Sequence, residues 1–528
     1  MSEDLAEQAI RLVNRQHMVY PDNPFFLYFA LGAGHAPHQA PKEYIDHYRG
    51  AFDAGWDEIR EQWFANQKRL GIVPENTVLN PRNEFVKPWN ELTDDEKKVY
   101  ARYMEVYAGF LEHADAQIGK VVDYLKEIGE FENTVIVLLS DNGASAEGGK
   151  NGRVNQEKSL NLLEETNNVE LTLKHLEELG SSAYSNPHYP VGWANAGNTP
   201  FQWYKSWVHS GGVKDPLIVS YPKGIHAKGE IRNQYLHVID ILGVDKPDHI
   251  KGIAQKPYHG ASFAGTFDNA EAPDVRHIQY YEQTGNRGIW KDGWKAIKSH
   301  LYDKDYINET WELYHVAEDF SESENVAEQY PDKLKELIAL WYVQAGKYGV
   351  LPLGDGPYLT QKPEELLNAV KENKFYIEPQ KFSYRGVLHP LDITTKTMFN
   401  RRNHKITVQI AHEPNQEGIL YAAGNRFGGY VLFIQENRLK YAYNYHREQV
   451  FQVTSADPLP EGNVTVQVQF RLTDKGTAVA ELWVNGISQG KTEITGFIFM
   501  METHAYLKDG GTSPIIDDYK LPFEYPSP

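Results

Sequence analysis

At 528 residues, with 41% hydrophobic and 12% aromatic side chains, the chain has ample material for packed cores and exceeds one ordinary domain. A formal net charge of −19 argues against nucleic acid and anionic lipid as partners, because both need a basic face. The lack of any cysteine excludes disulfides, thiolate metal sites and a cysteine nucleophile within these residues, and no apolar run reaches the 18 residues of a membrane span.

Residues 4–16 have helical spacing, with acids at the start in place of the basic stretch of a signal peptide. After the Pro21–Asn23 turn, Phe25–Leu31 is an apolar run of strand length, which predicts a strand buried on both faces of a helix-flanked sheet. The polar loop GHAPHQAP (34–41) follows. Thr93 and Glu96 form a capping-box pattern ahead of a long amphipathic helix that Gly129 should stop. A short turn then leads to the β-branched run Thr134–Ser140, which ends at Asp141-Asn142-Gly143. Helix, turn, buried strand and polar loop are the grammar of an α/β domain, whose ligands bind beyond the carboxyl ends of the strands.

Further strands are predicted at Leu217–Tyr221, Gly288–Trp290 and Trp294–Ile297, and a closing helix over Asp332–Lys347. From about residue 380 the period becomes two: Thr407–Ile410, Tyr430–Ile434, Leu439–Tyr443, Val464–Phe470 and Glu481–Val484 all read as strands. Glu436-Asn437 and Asn485-Gly486 stand between neighbouring runs as turn residues. The expected organisation is an α/β domain over 1–355, a linker over 356–379 and an all-β, jelly-roll-like sandwich over 380–528.

Four residues stand out for chemistry. Asp141 and Asn142, at the end of a predicted strand, offer the oxygen donors that a hard cation takes, although Asp-Asn-Gly is equally good turn chemistry. His38, and less so His35, sits on a loop at the same predicted sheet edge, where a histidine can protonate a leaving group or remain an ordinary surface residue. Lys205, among aromatics just before Gly211-Gly212, has the character of a clamp for an anionic oxygen, though most lysines are simply solvated. His113, inside the long helix, reads as a structural hydrogen-bonder.

The blocks GHAPHQAP (34–41), SDNGASAEGG (140–149), GNTPFQWYKSWVHSGG (197–212), GNRGIWKDGW (285–294) and ELYHVAEDFSESENVAEQYP (312–331) together resemble the large bacterial-type arylsulfatases of the alkaline-phosphatase-like superfamily. The resemblance implies a mixed or parallel sheet flanked by helices, with the N-terminal part of that domain missing. It implies that Asp141 and Asn142 are ligands of a divalent cation, calcium first and magnesium second. It makes His38 the histidine that contacts sulfate and protonates the leaving group, and Lys205 the lysine that holds sulfate oxygens. The implied substrate is a small sulfate ester.

The departures are as specific. The family's paired metal-binding aspartates and its Cys-x-Pro-Ser-Arg motif, source of the formylglycine nucleophile, are not in this sequence. Met1 then corresponds to the middle of the family's catalytic domain, a missing N-terminal half would be a partner, and the chain alone is expected to be inactive. The run His237–Gly243 passes directly into Val244-Asp245-Lys246-Pro247, so the family's helix there looks shortened. Two other readings share these features: a phosphonate or phosphate ester hydrolase of the same superfamily, and a non-catalytic protein whose sandwich binds carbohydrate.

Overall fold

The computed structural model describes residues 1–155, 168–182, 185–236, 248–255, 262–300, 309–353, 403–473, 477–496 and most of 505–526. The linker expected over 356–379 and the shortened helix after His237 lie outside them. Contacts divide the chain into two units: residues 1–35, 40–152 and 189–360 form the first, and 36–39, 153–188 and 361–528 the second.

The first unit combines α-helices with small β-sheets, an α/β arrangement. Its helices include α1 (Ser2–Val19), α2 (Lys42–His47), α3 (Gly55–Arg69) and α4 (Asp94–Glu127). The start of α4 is fixed as the sequence predicts. Thr93 Oγ1 accepts from the Glu96 amide at 3.2 Å, Glu96 Oε2 accepts from the Thr93 amide at 2.8 Å, and Gly129 ends the helix with φ of 76°. His113, on the buried face of α4, places Nε2 3.3 Å from Glu3 Oε1 of α1, a structural role. Sequence reading missed α3, which begins at Gly55 (φ 82°) against the Trp89 ring. A Cβ at Gly55 would meet that ring at 2.1 Å, so only glycine allows both the turn and the contact.

Two apolar runs take a different form from the expected buried strands. Strand β1 (Ile136–Leu139) pairs antiparallel with β2 (Leu217–Ser220), and Leu138 and Ile218 remain 44% and 59% exposed. Phe25–Leu31 makes no ladder. It nonetheless alternates: Leu27 and Phe29 pack towards Ala6, Ala9 and Val121, whereas Phe26 and Tyr28 are 81% and 82% exposed. The backbone has strand periodicity without a strand neighbour, because the described residues supply no edge for it to pair with.

A second sheet of this unit runs β3 (Ile278–Gln283), β4 (Asn286–Lys291), β5 (Trp294–Lys298) and β6 (Glu312–Tyr314), all antiparallel. Helix α5 (Pro331–Tyr348) covers it, burying Leu337, Trp341 and Ala345 with Ile289, Ala296 and Leu313. Gly349, at φ 68°, provides the left-handed stop of α5. No helix among the described residues is long and apolar enough to cross a membrane.

The second unit is dominated by antiparallel sheets, and neither closes into a barrel. One contains β7 (His404–His412), β12 (Gly462–Leu472), β13 (Ala478–Val484) and β14 (Ile487–Ile494); the other contains β8 (Gly418–Asn425), β9 (Gly428–Gln435), β10 (Arg438–Tyr445), β11 (Gln449–Thr454) and β15 (Ala505–Leu507). Inward residues of the two, such as Val466, Val468 and Leu482 on one side and Tyr430, Leu432 and Tyr441 on the other, share one core. Glu436-Asn437 and Asn485-Gly486 all have positive φ, as two-residue hairpin turns require.

Candidate active site

The segment carrying Lys205 is a loop closed on itself. Asn198, at the end of the helix Val191–Gly197, donates from Nδ2 to the carbonyls of Trp203 (2.9 Å) and Gly211 (2.8 Å), and its Oδ1 accepts from the Ala144 amide at 2.9 Å. One asparagine thus ties both ends of the loop to the segment that follows β1. The Lys205 amide donates to Ala144 O at 3.0 Å, adding a second tie. Close backbone approach explains the glycines here: a Cβ at Gly143 would meet Gly211 O at 1.8 Å, and one at Gly212 would meet Trp207 O at 2.1 Å.

Behind the loop lies a buried ionic cluster. Lys295 Nζ and Glu322 Oε1 are 2.7 Å apart, and both side chains are buried. Glu322 also accepts from the Ser210 amide (2.8 Å) and hydroxyl (2.7 Å). Burial opposes the charge on Glu322, but Lys295, His209 and the Ser210 amide outweigh it and hold the carboxyl below its usual range. Beside it, His209 Nε2 lies 3.2 Å from Glu312 Oε2, which also accepts from the Tyr314 hydroxyl. Gln202 donates to Tyr314 Oη (3.3 Å) and to Glu322 O (3.0 Å). The described bonds at both ends of the loop therefore lead back to charged groups that cannot move without losing their partners.

On the solvent side, Lys205 Nζ lies 3.0 Å from His35 Nε2 and 3.3 Å from Glu147 Oε1, and its side chain is 22% exposed. An ammonium only donates, so this His35 nitrogen is the acceptor. Lys205 opens onto a cleft of about 360 Å³, which Phe85, Glu147, Lys150, Tyr204 and Trp207 also line. A cation held in this way between an imidazole and a carboxylate, at the wall of a cleft, is set up to receive an anion.

Asp141 and Asn142 follow β1 and are not among the residues lining that cleft. The pairing of β1 with β2 extends through Ser140 N to Pro216 O (3.4 Å) and Gly143 N to Gly212 O (3.3 Å), which brings Asp215 across from Asp141. Burial, and then the Asp141 charge, push the Asp215 carboxyl up to about 7. The donors suit a hard cation: a solvent-facing carboxylate at Asp141 and an amide at Asn142 whose Nδ2 bonds Gly143 O at 3.0 Å. Their number does not suffice. Calcium takes roughly six to eight oxygens, and among the described residues no group of three or more His, Asp or Glu side chains is placed to hold a metal ion. Asp141 and Asn142 fit as part of a ligand set and not as the whole of one.

His38 falls in the second unit, unlike the other three residues. It is buried, its amide donates to Pro187 O at 3.0 Å, and its ring lies 4.9 Å from that of His188. The structure thus brings Lys205 together with His35 and Glu147, Asp141 with Asn142 and Asp215, and His38 with His188. Sequence reading had ranked His35 below His38 and did not reach Glu147, Asp215, Lys295 or Glu322. Glu147 lies within the SDNGASAEGG block, but nothing in its local pattern names Lys205 as its partner.

Residues 1–243 match the sulfatase family model, and this part of the chain is a sulfatase-family domain. An uncharacterised sulfatase of Schizosaccharomyces pombe is 35% identical over 370 residues, covering 67% of this chain and 63% of its own length. The arylsulfatase of Klebsiella aerogenes is 33% identical over 244 residues, 45% of this chain and 49% of its own length. The chain therefore spans about half to two thirds of the length of these relatives. Among solved structures, Ps i-CgsB in complex with k-i-k-neocarrahexaose aligns with 18% identity and a TM-score of 0.38, covering 70% of this chain and 58% of that one.

Proposed function

We propose that the chain carries the sulfate-recognition half of a sulfuric ester hydrolase acting on aryl sulfates. The observation that carries this reading is the setting of Lys205, a partly exposed ammonium at the wall of a cleft, flanked by His35 and Glu147 from two other sulfatase-like blocks. In this reading Lys205 holds two oxygens of the sulfate as a point charge, displacing the Glu147 carboxylate. Asp141 and Asn142 would contribute oxygen donors to a calcium or magnesium ion, which supplies charge neutralisation of the sulfate when bound.

These 528 residues contain no cysteine, hence no precursor for a formylglycine made from one. We accordingly take them to bind a sulfate ester without turning it over, an activated nucleophile being what divides this hydrolysis into two accessible steps. Calorimetric titration with 4-nitrophenyl sulfate and 4-nitrophenyl phosphate tests the reading. The sulfate ester is expected to bind the more tightly, Lys205→Ala to weaken it about tenfold or more, roughly 1.4 kcal/mol, and no nitrophenol to be released. Unchanged binding by Lys205→Ala, or a preference for the phosphate ester, overturns it.

A further inference from the structure

The charges that line the Lys205 cleft do not match a plain anion. Lys205 Nζ is 3.3 Å from Glu147 Oε1, and Glu147 lines the same cleft at an exposed position. A carboxylate placed there competes with an incoming sulfate for Lys205 and repels it once it has arrived. Sulfate on Lys205 also strips Glu147 of this ion pair. His35 supplies no replacement charge, because the Nε2 that accepts from Lys205 carries no proton. The rest of the wall is aromatic. Trp207 and Phe85 line the cleft with Glu147, and Trp207 is backed by the Trp203 ring, stacked on it with centroids 3.9 Å apart. Phe85 is nearly half exposed and lies 6.1 Å from Trp203. The faces of such rings are electron-rich, so rings beside a carboxylate attract a cationic nitrogen and shield it from water.

We propose that Glu147, with Trp207 and Phe85, is a cation subsite, and that the cleft takes zwitterionic sulfate esters, whose alcohol carries a cationic nitrogen close to the ester oxygen. Lys205 remains the anion clamp, and this assignment depends on it. As the sulfate displaces Glu147 from Lys205, the ligand's own cation takes up the carboxylate. One ion pair within the protein is thereby exchanged for two between protein and ligand. The alkyl groups on the nitrogen lie against the rings of Trp207 and Phe85. For a sulfate ester without a cation the same carboxylate is only a cost, since it leaves Lys205 and gains nothing in return. Glu147 thus works against simple anions and in favour of zwitterions.

The test is isothermal titration of the full chain with 3-(trimethylammonio)phenyl sulfate and 3-tert-butylphenyl sulfate, two esters that differ in charge and hardly in shape. The cationic ester is expected to bind about tenfold more tightly. Glu147→Gln, a change at an exposed position, should weaken the cationic ester and strengthen the tert-butyl ester, because Lys205 then has no internal competitor. Movement in opposite directions is a result that a merely structural role for Glu147 does not produce. Trp207→Ala should lose part of the preference for the cation. Equal binding of the two esters by the unaltered chain, or a Glu147→Gln effect of the same sign and size on both, overturns the cation subsite while leaving the Lys205 assignment standing. If neither ester binds, or Lys205→Ala binds both as well as the unaltered chain does, the clamp itself fails and the subsite fails with it.

Discussion

The β-strands of this protein come in two states of completion. In the sandwich, Leu432, Val466, Val468 and Leu482 are fully buried, because each sheet is the other's cover. In the first unit, the equally apolar β1 and β2 leave Leu138 and Ile218 open, and Phe25–Leu31 alternates inward and outward with no ladder at all. Both regions are rich in apolar residues, so the difference lies in what surrounds them. A strand sequence specifies a pleat, and only a neighbour turns the pleat into a sheet.

The largest effect that sharpens this comparison is expected away from both strand sets. Glu322→Ala leaves Lys295 charged, buried and unpaired, which should cost about 4 kcal/mol and lower the melting temperature of the first unit by roughly 10 °C. Calorimetry with two resolved transitions should show the sandwich unchanged. Next, Leu482→Ala in the sandwich should cost about 3 kcal/mol, whereas Leu138→Lys in β1 should stay within about 0.5 kcal/mol and raise solubility by charging an open edge. Equal losses in chemical denaturation would break the comparison, since Leu138 would then be as buried in solution as Leu482.

A separate effect concerns pH. The Asp215 carboxyl rises from 3.8 in the unfolded chain to about 7 in the fold. Between those values the folded state binds more protons than the unfolded one. The contribution of this group is therefore fully present below pH 4, declines as pH rises towards 7, and is flat above it. Asp215→Asn should flatten that part of the stability profile, measured by urea denaturation from pH 4 to 8 without divalent cations. A profile identical to wild type would show that the fold does not raise the Asp215 carboxyl.

Much of the architecture was legible in the sequence where the signal is local. The capping box at Thr93, the stop at Gly129, the alternation of Val464–Phe470 and the Asn485-Gly486 turn are each decided within a few residues, and the structure has them all. Phe25–Leu31 read as a buried strand because composition reports apolarity and not whether a partner is present. At the candidate site, Lys205 was singled out by its setting between aromatics and Gly-Gly together with the family resemblance. Its partners were not: His35 lies 170 positions away, and the pairing of Lys295 with Glu322 exists only once β5 and the loop after β6 have come together.

The clamp on Ser210 has a consequence for how this cleft can change. With its amide and hydroxyl both committed to Glu322, and Asn198 bonded to the carbonyls of Trp203 and Gly211, the intervening stretch is a handle fastened at both ends. Its outward positions can be varied combinatorially while the fasteners stay constant. Variation confined to the outward position Trp207 would then change the wall of the cleft before it unfolds the protein, which makes the loop a natural place for the cleft to drift.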